Sequence, residues 1–163
     1  MSKKFSTVYK GVVVLALGAM ASMTAMAART AGRTEPTPPH IELQSAHAFA
    51  PTLDRISKTL EGAGMTIFAR IDHQAAAQKA GLSMDPATVL IYGNPKGGTP
   101  LMQAAPNLAL DLPLRVLVRA DAQGKTFVVL HPAHTLTRSV GLPDDKALPL
   151  ARSEALIRQA VAP

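Results

Sequence analysis

The hydrophobic residues in the first half of the chain alternate with polar ones in some segments and recur every three or four positions in others. The first pattern is typical of strands and the second of helices. An alternating pattern predicts a short strand over residues 40–44. Hydrophobic residues three and four positions apart then predict an amphipathic helix that begins at Phe49 and that Gly62 or Gly64 ends. Alternation returns in residues 65–71, and the alanine-rich segment after it favours a short helix that Gly81 stops. The first half is therefore expected to fold as strand, helix, strand and helix.

The next segment combines a strand with a glycine-rich connection. Residues 88–92 form a continuous apolar run, which predicts a strand buried on both faces. A sharp loop is expected over residues 93–98, because glycines and a proline cluster there. Thr99 and Pro100 are the residue types of an N-cap and a first helical position, so a helix is expected to begin there and to end before Pro106.

The last part of the chain predicts a hairpin followed by two helices. Alternating apolar residues at 114–118 and 126–130 flank a turn at residues 121–124. Helical spacing over residues 135–140 and 150–161 predicts the two helices. The complete order, β-α-β-α-β-α-β-β-α-α, predicts an α+β fold. We expect a compact two-layer α/β sandwich, with a mixed sheet that includes at least one antiparallel hairpin and with helices mainly on one face.

The first 27 residues have the features of a secretory signal peptide. Three lysines precede an apolar segment at residues 11–21, and Ala25-Met26-Ala27 has the small-x-small pattern of a cleavage site. We therefore expect cleavage after Ala27 and a periplasmic or secreted location. The alternative is a membrane anchor formed by uncleaved residues 11–28, since arginines follow this segment closely.

Composition limits the classes of function of the remaining chain. The polar, proline-rich residues 28–39 are expected to form a disordered linker, and residues 40–163 a single globular domain. The formal charge falls from +6 to +3 when the three lysines of the leader are removed, which argues against nucleic acid as a partner. The chain has no cysteine, so it carries neither a disulfide nor a lipid attached at the cleavage site. No membrane contact is expected after cleavage.

Three ordered segments in the middle of the chain have a distinctive sequence. They are residues 68–82 beginning with FARIDH, residues 92–102 with YGNPKGGTPLM, and residues 109–118 with ALDLPLRVLV. Together they resemble the signatures of domain-of-unknown-function family 302, and the resemblance covers residues 49–161. Ala69 departs from the family, which often has a larger apolar residue there. The resemblance implies a compact α/β sandwich that is often a dimer, and it supplies no activity, substrate or catalytic residue.

The most suggestive segment for ligand binding runs from Gly93 to Thr99. A strand followed by glycines and a helix N-terminus presents backbone N–H groups to an anion, and Lys96 adds a positive charge. The segment lacks the phosphate-binding-loop and dinucleotide-binding fingerprints. The alternative is a tight turn in which the glycines allow positive φ and Thr99 is an ordinary cap.

The adjacent residues Asp72 and His73 form a second candidate segment, which also follows an apolar strand and opens a helix. Asp72 either orients an imidazole or acts as a base, or it simply caps the helix that begins at His73. We hypothesise that both segments share one polar pocket, because strands that run in the same direction end at one edge of a sheet. The predicted ligand-binding residues are Asp72, His73, Gly93, Asn94, Lys96, Gly98 and Thr99.

The sequence assigns no catalytic residue, metal ligand or cofactor. His131 and His134 have a proline between them and no flanking carboxylate, and the motifs of covalent catalysis are missing. The expected function is a non-enzymatic binding or accessory domain for a small polar or anionic ligand, with a homodimer implied by the resemblance. One alternative is an enzyme that uses Asp72, His73 and the Gly93–Thr99 loop for acid–base chemistry. The other is a structural or interaction protein with no ligand site.

Overall fold

Five strands form one sheet in the computed structural model, which describes residues 40–163. The strands are β1 (Ile41–Gln44), β2 (Thr66–Asp72), β3 (Ala87–Gly93), β4 (Leu114–Ala120) and β5 (Thr126–Leu130). Their order is β1-β5-β4-β3-β2, and every neighbouring pair runs antiparallel. The expected leader, cleavage site, membrane anchor and linker lie outside the described residues.

Helices connect the strands, except β4 and β5, which follow each other directly as the predicted hairpin. The α-helices are α1 (Phe49–Gly62), α2 (His73–Lys79), α3 (Pro95–Ala104), α4 (Ala133–Ser139) and α5 (Leu148–Val161). Two short 3-10 helices span Pro106–Leu110 and Asp144–Ala147. The predicted α+β sandwich is confirmed. The expectation of a mixed sheet is wrong, because every strand runs antiparallel to its neighbours. Among residues 40–163, no helix has the length and apolar character needed to span a membrane.

One hydrophobic cluster lies between the sheet and helices α1 and α5. Helix α1 buries Leu53, Ile56 and Leu60, which lie on one helical face as their spacing predicted. Val116 of β4 and Ile157 of α5 are fully buried in the same cluster. Helix α1 forms at the predicted position because this apolar stripe is covered by the sheet.

A second hydrophobic cluster lies around α3 and the 3-10 helix Pro106–Leu110. Leu101, Leu108 and Leu150 are buried in it, together with small side chains from α4 and the second 3-10 helix. Leu114 packs against both clusters, so it links them. This second cluster supports the elements that form the candidate site.

The expectation that β3 is buried on both faces is wrong for one face. Thr88, Leu90 and Tyr92 are buried, whereas Val89 and Ile91 between them are only half-buried. The helices cover mainly one face of this antiparallel sheet, so alternate residues of β3 keep partial contact with solvent.

Candidate functional site

An open cavity of about 170 Å³ lies between the start of α3, residues 112–114 and the start of α5. Three of its lining residues, Asn94, Thr99 and Ser153, have polar side chains. Most of the remaining wall is apolar, and includes Met65, Phe68, Met102, Leu112, Pro113 and Pro149. The cavity therefore favours an apolar occupant with few hydrogen-bonding groups.

Asn94 determines where α3 begins. Its Oδ1 accepts a hydrogen bond from the Lys96 backbone N–H at 2.9 Å, and Pro95 occupies the first helical position. Its Nδ2 donates to the Gly64 carbonyl at 3.0 Å, which ties the helix start to the loop after α1. The prediction that Thr99 and Pro100 open this helix is wrong, because the stronger cap lies at Asn94.

The backbone N–H groups at the start of α3 are already used inside the protein. Lys96 donates to the Asn94 side chain, and the N–H groups of Gly97 and Gly98 donate to the Asn94 carbonyl at 3.0 and 2.9 Å. Pro95 has no N–H to offer. An anion at this helix end would have to displace these hydrogen bonds, so the geometry does not favour the expected anionic ligand.

Three glycines of the 93–98 segment form part of the cavity wall. None of them has positive φ, and Gly97 and Gly98 are helical, so the alternative of a tight turn with glycines at positive φ is wrong. A Cβ atom at Gly97 would lie 3.6 Å from Pro149 Cβ, and one at Gly98 would lie 3.7 Å from Leu112 Cδ1. The glycines therefore leave open the space that larger side chains would occupy.

The predicted ligand residues fall at two separate places. Gly93, Asn94, Gly98 and Thr99 line the cavity, while Lys96 is exposed outside its lining. The remaining two, Asp72 at the last position of β2 and His73 at the first position of α2, do not line the cavity.

The hypothesis of a shared pocket is wrong because β2 and β3 run antiparallel. Asp72 pairs with Thr88 at one end of β3, whereas Gly93 pairs with Thr66 at the other. Thr88 and Gly93 are roughly 17 Å apart along the strand. The acid–base alternative that needed both segments therefore has no common centre.

Asp72 is the N-cap of α2, which was the alternative to a role in acid–base chemistry. Its side chain accepts a hydrogen bond from the Ala75 backbone N–H at 2.9 Å, which opens α2. His73 is exposed beside it, and α2 contributes no buried side chain over residues 73–79. Gly81 ends this region with φ of 74°, as its sequence position predicted.

Phe68 was not among the predicted site residues, although it lines the cavity. The pairing of β2 with β3 shifts between Ile67 and Ala69, so Phe68 is the additional residue of a β-bulge. Its side chain is 51% exposed, and a Cβ at Gly93 would lie 3.6 Å from its Cε2 atom. The sequence analysis assumed strict alternation over residues 65–71 and therefore did not identify Phe68. A β-bulge interrupts this alternation.

A buried pair of hydroxyl groups lies beside the cavity. Tyr92 donates to Ser153 Oγ at 3.3 Å, and Ser153 donates to the Leu150 carbonyl at 2.7 Å. Burial raises the pKa of Tyr92 to about 12, and the nearby charge of Glu154 acts in the same direction. Ser153 could have been noticed in the sequence, because it shares a helical face with Leu150 and Ile157.

Among residues 40–163, no three histidine or carboxylate side chains come close enough together to hold a metal ion. His131 lines a small cleft beside Tyr92, whereas His134 lines a different surface depression with Asp144. The spacing of these two histidines in the sequence therefore does not bring them to one cleft.

Replacement of Asn94 tests its assignment as the cap of α3. Asn94→Ala is expected to lower the free energy of unfolding by about 1–2 kcal/mol, because both the cap and the bond to Gly64 are lost. Asn94→Asp keeps an acceptor and should lose less. Thr99→Ala should change stability by less than about 0.5 kcal/mol, since Thr99 is inside the helix. Urea denaturation provides the measurement, and an equal loss in Thr99→Ala and Asn94→Ala would contradict the assignment.

The fold and the cavity together define an α+β sandwich domain with an apolar cavity at the glycine-containing start of α3. The family described as "Domain of unknown function DUF302" matches residues 41–162, and the chain belongs to this family. The chain is also similar to the crystal structure of an uncharacterized conserved protein DUF302 from Bacillus stearothermophilus, with a TM-score of 0.64 and 16% identity. The match covers 75% of this chain and 94% of that one, and it confirms the fold.

Part of the chain is also similar to curated proteins from Brucella. A protein of Brucella suis named "Fluoride-specific ion channel FluC 1" is 39% identical over 110 residues, which is 66% of this chain and 43% of that protein. The protein of the same name from Brucella abortus is 39% identical over 110 residues, which is 41% of its length. The chain therefore spans less than half the length of these curated relatives.

Proposed function

We propose that this domain is a non-enzymatic binding protein for a small, largely apolar molecule. The cavity at the start of α3 carries the proposal, since about 170 Å³ with mainly apolar walls suits such a ligand. An apolar cavity of about 150 Å³ in another protein is large enough to bind benzene. The signal-like residues 1–27 support a role outside the cytoplasm.

The polarity of the cavity favours an apolar ligand over the expected polar or anionic one. Lys96 is exposed outside the lining, and the first-turn N–H groups of α3 already have acceptors. An apolar molecule that loses about 150–200 Å² of apolar surface to the cavity gains roughly 4–5 kcal/mol. Because lost translational and rotational freedom offsets part of this gain, we expect dissociation constants of about 0.2 mM or weaker, a range that small model compounds can test.

The test uses toluene and methylcyclohexane as probes, and binding of either supports the proposal. We expect saturable binding of toluene by calorimetry at sub-millimolar to millimolar concentrations. Binding of methylcyclohexane, which is much less soluble in water, is measured by its partitioning from the headspace into the protein solution. Gly98→Leu should weaken binding about tenfold or more, because its side chain would occupy the space next to Leu112. Its stability should be retained, since leucine is a better helix former than glycine.

Gly62→Leu is the matched control for this substitution. Gly62 is also a helical glycine, but nothing lies within 4 Å of the Cβ position there. This variant should bind the probes as the wild type does. The proposal is contradicted if neither probe binds the wild-type protein, or if Gly98→Leu binds both as well as Gly62→Leu does.

A second proposal is an accessory domain that acts beside another protein. It is supported by the Brucella relatives, in which a segment similar to this chain makes up less than half of a longer protein. The ion-channel name belongs to those proteins. Failure of both probes to bind would leave the accessory role as the better account.

A further inference from the structure

We infer that Phe68 gives the cavity a preference for a planar aromatic ring over an aliphatic molecule of the same size. The inference rests on the proposed function and specifies its ligand class. It depends on an exposed aromatic side chain that a β-bulge brings to the cavity beside a glycine.

The β-bulge accounts for the position of Phe68. Ile67 pairs with Tyr92 and Ala69 with Ile91, so these two residues of β2 face consecutive residues of β3 and leave Phe68 between them. A bulge re-aims a side chain and bends an edge strand, and bulges are frequent next to functional sites. Here it places an aromatic side chain in the lining of the cavity.

Phe68 has an exposure that is unusual for a large aromatic residue. Its side chain is 51% exposed although it lines an apolar cavity, so part of the ring remains available for contact. Gly93 lies beneath it, and a Cβ there would be 3.6 Å from Phe68 Cε2 and 3.5 Å from Pro113 Cβ. These distances are ordinary van der Waals contacts, so the ring of Phe68 lies close to the backbone of Gly93 at the cavity wall.

The other side chains near Phe68 also suit an aromatic ligand. Met65 and Met102 line the same cavity, and thioether sulfurs make favourable contacts with the edges of aromatic rings. Offset or edge-to-face contact between two aromatic rings adds to the binding free energy that burial of apolar surface alone provides. A ring placed in the cavity would meet Phe68 on one side and flexible methionine side chains on others.

The test compares toluene with methylcyclohexane, which share a carbon skeleton and differ in aromaticity. We correct each affinity for the free energy of transfer of that probe from water to an alkane, and we expect the corrected affinity of the wild-type protein to be about 2- to 10-fold higher for toluene. Phe68→Leu should remove this preference while both probes still bind, and Phe68→Tyr should keep it. Because Phe68 is half exposed, these variants are expected to fold, and their unfolding curves provide the control.

The outcomes separate this inference from the proposed function. Equal corrected affinities for the two probes, or a higher corrected affinity for methylcyclohexane, would overturn the aromatic preference while leaving an apolar binding protein. A preference for toluene that persists unchanged in Phe68→Leu would overturn the role of Phe68. Failure of both probes to bind the wild type would remove the proposed function and this inference together.

Discussion

Leu108→Ala is expected to lower the free energy of unfolding by about 2–5 kcal/mol, the range for removing a fully buried leucine side chain. Leu108 is 0% exposed and lies in the 3-10 helix Pro106–Leu110. It belongs to the second hydrophobic cluster, together with Leu101. The cavity residue Leu112 packs against this cluster. The substitution removes apolar contacts and leaves a void in this cluster. The lost contacts and the void each lower the free energy of unfolding.

Leu110→Ala is the matched control, because Leu110 lies two residues away in the same 3-10 helix and is 86% exposed. Its replacement should change stability by less than about 0.5 kcal/mol. Guanidinium denaturation of both variants, with unchanged slopes, measures the difference. Similar losses in the two variants would contradict the burial of Leu108.

Alkaline pH is expected to destabilise the folded protein through Tyr92. Burial raises its pKa from 10.0 to about 12, so the unfolded chain releases this proton at a lower pH than the folded protein does. The stability from the neutral hydroxyl is fully present below pH 10 and is lost as the pH rises through about 12. A difference of about two pKa units corresponds to roughly 3 kcal/mol.

Tyr92→Phe separates this effect from all other effects of alkaline pH on stability. Phenylalanine has no proton to lose, so the variant should show a smaller fall in stability between pH 9 and pH 12. Denaturation curves across this range, taken for both proteins, measure the difference. The same pH dependence in wild type and Tyr92→Phe would contradict a buried, neutral Tyr92.

The sequence predicted the elements whose evidence is local. The hydrophobic stripe of α1 reappears as Leu53, Ile56 and Leu60, all fully buried. Asp72 caps α2, and Gly81 ends that region at positive φ. These features depend on spacing and on residue types within a few positions, so a single sequence contains most of the relevant information.

The candidate site was harder to predict because long-range pairing determines it. Asp72 and Asn94 would lie close together only if β2 and β3 ran parallel, but they run antiparallel. The sequence of a strand does not indicate the direction in which its neighbour runs. The cavity brings together residues from β2, α3 and α5 that lie far apart along the chain. Four of the seven predicted site residues reach it because they belong to one continuous segment.

The glycines of the 93–98 segment illustrate a second limit of sequence analysis. Clustered glycines and a proline usually indicate a loop, yet Gly97 and Gly98 are helical here. The cap at Asn94 and the proline after it outweigh their low helix propensity. The open space that they leave beside Pro149 and Leu112 becomes visible only when the fold is known.

The central claim is that the cavity at the start of α3 holds a small apolar molecule. Titration of ¹⁵N-labelled protein with toluene, followed through the amide resonances, tests it most directly because it reports where the probe binds. We predict saturable shifts that concentrate on residues around the cavity, such as Gly97, Gly98, Leu114 and Ser153. The same titration of Gly98→Leu should largely lose them. Shifts that are absent, that do not saturate, or that fall mainly on residues far from the cavity would contradict the claim.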